Sequence, residues 1–119
     1  MFDEYPGPKI ILGHLGEALP FWQWRIDNRW QKSLMGDARR KAPGQCLWEN
    51  FVVTTSSNFS LAAFLCTLLS MGADSIMFAV DCPSRGGAEA VKFLSTLPVS
   101  PDDMKKICHL NAEQVFGLP

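Results

Sequence analysis

The chain is 119 residues long, 47% hydrophobic and 19% charged, with 11 Lys and Arg against 12 Asp and Glu and a formal net charge of -1. This is the profile of one globular unit with a modest core, and without a basic excess nucleic acid and anionic membranes are not expected as partners. The longest apolar run, Leu61 to Ala73, is broken by Thr67 and Ser70 and is too short to cross a bilayer, and Met1-Phe2-Asp3-Glu4 does not read as a secretory leader.

In chain order, the turn residues Pro6-Gly7-Pro8 precede a first predicted strand, Lys9 to His14, apolar enough to be buried on both faces. Leu19, Trp22, Ile26 and Trp30 then recur at steps of three and four, which predicts a helix to about Lys32 with Pro20 in its first turn. From Ser33 to Glu49 the pattern is lost. Gly36, Pro43, Gly44 and the basic Lys32, Arg39, Arg40 and Lys41 read as a solvated loop or short irregular helix rather than a phosphate site.

A second strand, Phe51 to Ser56, is rich in β-branched residues, and a helix from Leu61 to Met71 follows, closed by Gly72. A third strand spans Ser75 to Asp81 and a third helix Ala88 to Leu97. Ser100-Pro101-Asp102-Asp103 reads as an N-cap, a first-turn proline and an acidic first turn. That last helix is expected to break near Asn111 and to end at Gly117. Alternating βα units with buried strands imply an α/β fold with a parallel sheet and right-handed crossovers.

Cys46, Cys66, Cys82 and Cys108 are scattered and form no C-x-x-C pair, so reduced thiols in a cytoplasmic protein are expected. The Asn58-Phe59-Ser60 sequon carries little meaning without a secretory route.

In parallel α/β folds chemistry gathers where strands end, which singles out His14, Ser56 and Asp81. In Gly13-His14-Leu15-Gly16-Glu17 the glycines allow a tight turn that directs a histidine and a glutamate into one pocket. His14 can serve as general acid or base with Glu17 orienting it, or it can simply satisfy a buried carbonyl. Asp81 follows an apolar strand, where a carboxylate needs a metal or basic partner, or caps a turn before Pro83. Arg25 can hold a carboxylate bidentately, or stack on Trp22 at the surface, which is the plainer reading. The tryptophan-rich stripe reads as core or subunit interface. His109, beside Cys108 in the last helix, is expected to be structural or exposed, and Thr54, Thr55, Ser56 and Ser57 are donors without a visible base partner.

These segments, in this order, resemble the amidohydrolase-related metal-dependent decarboxylase family, closest to the γ-resorcylate and 2,3-dihydroxybenzoate decarboxylases. Lys9 to Glu17 with Leu19-Pro20-Phe21-Trp22 and Arg25-Ile26-Asp27 resembles the sixth strand and following helix of its barrel. Asn50 to Phe59 resembles the seventh strand, Met71 to Asp81 the approach to and body of the eighth, and Asn111-Ala112-Glu113 with Phe116-Gly117-Leu118 the terminal helix.

The resemblance implies a partial TIM (β/α)8 barrel, with residues 1–119 as the last three βα units plus C-terminal helices. A whole barrel needs about 250 residues, so an unpaired edge is expected at the first strand. It also implies non-oxidative decarboxylation of a hydroxylated aromatic acid. His14 would be the acid–base residue with Glu17 beside it, Arg25 would bind substrate across a subunit interface, and Asp81 would ligate a divalent zinc or manganese ion and carry protons. A homo-oligomer is implied at full length.

Two departures stand out. The family's Glu-x-His pair and its further histidine have no counterpart, and one carboxylate falls short of the roughly three protein ligands a metal centre needs. The segment Cys82-Pro83-Ser84-Arg85-Gly86-Gly87 lacks the family's flanking aromatics and acid. The chain alone is therefore expected to be a truncated or mis-started product without activity. The alternatives are metal-assisted hydrolysis on the same barrel, and a non-catalytic fragment that pairs through its aromatic helix and open sheet edge.

Overall fold

A computed structural model describes residues 2–33, 40–81 and 87–119. Arg39, Cys82 and the Cys82–Gly86 stretch of the departing segment lie outside them. Strands β1 (Ile10–Leu12), β2 (Phe51–Thr54) and β3 (Ile76–Met77) form one parallel sheet in the order β1-β2-β3. Leu12 pairs with Val53, and Thr54 with Met77, so all three strands run out at the same end of the sheet.

Each strand is shorter than its sequence pattern. β1 is an edge with Ile11 42% exposed, so the expected burial on both faces is not met, while the expected open edge is present. β2, in the middle, is the strand whose Val52, Val53 and Thr54 are buried.

Helix α1 (Leu19–Gln31) carries Pro20 in its first turn, where a missing N–H leaves no hydrogen bond unmade. Of the expected loop or short irregular helix up to Glu49, the structure takes the helix: α2 (Pro43–Asn50) is α-helical throughout. Its Pro43 suits the first helical position, but Gly44 in the same turn is a poor local helix former. The missing determinant is tertiary: the Gly44 N–H donates to Asp27 Oδ1 of α1 at 2.7 Å. Beneath it, the buried Asn50 amide donates to the Pro6 and Pro8 carbonyls at 2.9 and 3.1 Å and pins the turn that leads into β1.

Helix α3 (Leu61–Met71) starts and stops where its sequence says. The Ser60 hydroxyl accepts from the Ala63 N–H at 3.3 Å, and Gly72 leaves the helix with φ 80°. Helix α4 (Gly87–Leu94) ends before the expected Leu97. Helix α5 (Pro101–Lys105) is capped by Ser100, passes through a π-helical turn at Lys106–Leu110, and continues as α6 (Asn111–Phe116) to a left-handed Gly117. The expected break near Asn111 is thus a widened turn within one rod.

The core lies between β2, β3, α3, α4 and the π-turn and contains Leu15, Val53, Phe64, Ile76, Phe93 and Ile107. Phe64 and Phe93 meet edge to face at 6.0 Å between ring centroids. Cys46, Cys66 and Cys108 carry free thiols. Among the described residues no helix is long and apolar enough to cross a membrane.

Candidate active site

At the carboxyl end of β1 the chain enters a turn in which His14, Leu15 and Glu17 all have positive φ, 53°, 58° and 54°, with Gly16 at 76°. Left-handed backbone is disfavoured for residues with a Cβ, so three of them together need outside support. Leu15 supplies it, with its side chain 1% exposed in the core and its carbonyl accepting from the Thr67 hydroxyl of α3 at 3.0 Å. The two glycines act differently from a simple pair of hinges. Gly16 takes the left-handed position, while Gly13 is extended and allows close approach, since a Cβ there would stand 3.2 Å from Ser56 Oγ.

His14 is half-buried, and its Nδ1 lies 2.7 Å from the Ser56 carbonyl oxygen. A carbonyl has no proton to give, so Nδ1 carries the hydrogen and the neutral ring is the Nδ1–H tautomer. Nε2, which makes no hydrogen bond among the described residues, is the nitrogen placed to take or give a proton. The His14 backbone is held too, with its N–H 3.3 Å from Ser56 Oγ and its carbonyl accepting from the Asn58 amide at 3.3 Å. The orienting partner is therefore Ser56 and not Glu17. Glu17 is exposed and lines a groove with Pro20, Phe21 and Cys66 between α1 and α3.

On the other side of β2, Ser57 Oγ donates to Asp81 Oδ2 at 2.8 Å, and Asp81 is half-buried. The backbone that delivers Asp81 is fastened from two directions. Thr55 Oγ1 donates to the Ala79 carbonyl at 3.0 Å and accepts from the Ala79 N–H at 3.1 Å. The Phe78 N–H donates to the Ile107 carbonyl at 2.7 Å. That carbonyl belongs to the π-turn, whose wider winding changes the helix's own hydrogen-bond pattern at this point. Asn111, 4% exposed, clamps the root of the same strand by donating to the Ala73 and Ile76 carbonyls, both at 2.7 Å.

His14 and Asp81 thus arrive from β1 and β3 at one end of the sheet, each bonded to one of two adjacent residues at the exit of β2. Arg25 makes a contact elsewhere. It is exposed on α1 with its guanidinium carbon 5.6 Å from the Trp22 ring centroid, the cation–π contact of the plainer sequence reading. His109 is exposed and bonds Glu113 at 2.9 Å one turn on. The sequence pointed to the hydroxyl run Thr54–Ser57 as donors, but it gave no sign that Asn111 or the Ile107 carbonyl would hold the third strand's segment, because their partners lie 29 to 38 positions away.

The Asp81 carboxylate is a donor of the kind that hard divalent cations take, steadied by a hydroxyl behind it. No group of three or more His, Cys, Asp and Glu that could hold a metal ion exists among the described residues. Asp81 therefore fits as one ligand of a metal and these residues do not complete a centre.

A parallel sheet that presents a histidine and a carboxylate at its carboxyl end has the layout of α/β enzymes with strand-end sites. A family model described as Amidohydrolase matches residues 1–118, and the chain belongs to that family. It is 39% identical over 120 residues to the γ-resorcylate decarboxylase of Polaromonas sp. (strain JS666), covering 99% of this chain and 37% of that enzyme. The chain thus spans little more than a third of the length of the curated relatives it matches.

The crystal structure of dihydroxybenzoic acid decarboxylase from Polaromonas sp. JS666, with bound manganese and the inhibitor 2-nitroresorcinol, superposes with a TM-score of 0.89 at 39% identity. That match covers 98% of this chain and 36% of the other. The 5-carboxyvanillate decarboxylase of Sphingomonas paucimobilis gives a TM-score of 0.88 at 35% identity, covering 99% and 36%.

Proposed function

We propose that these 119 residues are the carboxyl-terminal part of a metal-dependent decarboxylase of a hydroxylated aromatic acid, folded as the last three βα units of a (β/α)8 barrel. The observation that carries the reading is the joint delivery of His14 and Asp81 to one sheet end through Ser56 and Ser57. It stands in a chain similar throughout to decarboxylases of such acids.

In this reading His14 holds the mobile proton on Nε2 and gives it to the ring carbon that bears the carboxylate. The carbon–carbon bond then breaks and carbon dioxide leaves. A divalent ion, manganese as in the neighbours or zinc, would supply orientation and charge stabilisation, with Asp81 as one ligand and the others from outside this chain. Glu17 stands beside His14 in the same turn, and Arg25 meets the substrate carboxylate in a homo-oligomer whose interface includes the aromatic face of α1. The described residues do not complete a metal centre, and in this reading the 119 residues alone are inactive.

The test joins the upstream part of the Polaromonas enzyme to all 119 residues and follows carbon dioxide release from 2,6-dihydroxybenzoate. Activity is expected, falling about 100-fold to 10,000-fold in His14→Ala. Hydrolysis products in place of carbon dioxide, or turnover by the isolated 119 residues with added metal, would overturn the reading.

A further inference from the structure

Ser57 occupies a left-handed backbone conformation, φ 54°, that suits glycine and strains any residue with a Cβ. The turn around it is closed by the Asn58 N–H on the Thr55 carbonyl at 3.1 Å. Its effect is a change of direction. Ser56, just before it, spends its carbonyl and hydroxyl on His14 at the end of β1. Ser57 turns the other way and gives its hydroxyl to Asp81 Oδ2 beyond β3. A glycine would relieve the backbone but could not make that bond.

We propose that Ser57 is a positioning residue for Asp81: its hydroxyl holds the carboxylate in the orientation in which it binds a divalent cation, and the strained φ is tolerated for that contact. This rests on Asp81 being a metal ligand, and it extends that reading by naming what aims the ligand. Thr55 holds the backbone of the same segment through Ala79, so loss of the Ser57 hydroxyl should loosen the carboxylate without displacing the chain.

The experiment uses the joined chain described above, as parent, Ser57→Gly and Ser57→Ala. Manganese affinity is read by electron paramagnetic resonance, and thermal melting is recorded without metal. Ser57→Gly is expected to melt at or above the parent and yet bind manganese about 10-fold more weakly. Ser57→Ala, which keeps the strain and loses the hydroxyl, should bind as weakly as the glycine variant and melt below it. Manganese binding by Ser57→Gly as tight as the parent's overturns the assignment. A parent that binds manganese but releases no carbon dioxide removes the decarboxylase reading instead, and the affinity ratio still decides the role of Ser57.

Discussion

Helices α1 and α3 carry similar apolar spacing and meet different fates. In α3 the residues Phe64, Thr67 and Met71 are buried, and Phe64 is fully enclosed between the sheet and Phe93. In α1 only Pro20 is buried, while Leu19, Trp22 and Ile26 of the apolar stripe stay exposed, and the neighbouring Phe21 and Trp24 are 74% and 75% exposed. Helical periodicity establishes that a face exists. Whether it is covered depends on a second layer: Phe64 of α3 lies in one buried cluster with Phe93 of α4 and Val53 of the central strand, where α1 has α2 and the flank of α3. The stripe expected to be core or interface is therefore not core.

The comparison can be tested by unequal effects. The largest is expected for Phe64→Ala, about 3–5 kcal/mol in urea unfolding, because it opens a cavity in the packed core. The matching Trp24→Ala on α1 should stay within about 0.5 kcal/mol in the isolated chain. A Trp24 change as costly as the Phe64 change would show that the α1 face is covered in solution and would erase the contrast.

Next comes Asn111→Ala, expected to cost about 1–3 kcal/mol by leaving the buried Ala73 and Ile76 carbonyls without their donor. Hydrogen exchange should then quicken at the Phe78 amide more than in α1. Ser60→Ala removes the α3 cap and should cost about 1 kcal/mol by the same unfolding assay.

The smallest effect belongs to the rim of α2. Hydrogen bonds first from Lys41 and then from Gln45 hold the Glu49 carboxyl below its ordinary value. A carboxyl lowered in the folded state stabilises the fold above its unfolded value, and that contribution fades as pH falls through the folded value. Melting curves of parent and Glu49→Gln should differ slightly near neutrality and converge in acid.

Much of the fold was legible in the sequence where the determinants are local. Gly72 marks the end of α3, Ser100-Pro101 starts α5, and Gly117 closes α6, because a cap or a left-handed residue acts within about four positions. The ends of three β-type runs also pointed to His14, Ser56 and Asp81. The start of α2 was not legible, since Asp27 of another helix caps Gly44 across 17 positions. The lengths of the strands were not legible either, because an edge residue such as Ile11 looks as apolar as a central one such as Val53.

By itself, then, the sequence determined the alternation of strand and helix, the caps, and the candidate residues at strand ends, all of which follow from side-chain chemistry and nearest neighbours along the chain. Only the tertiary structure decided that His14 leans on the Ser56 carbonyl 42 positions away and not on Glu17, that Ser57 reaches Asp81 across 24 positions, and that a π-turn offers its Ile107 carbonyl to Phe78. Those contacts depend on how parallel strands register against one another, and register is settled when separate segments pack together.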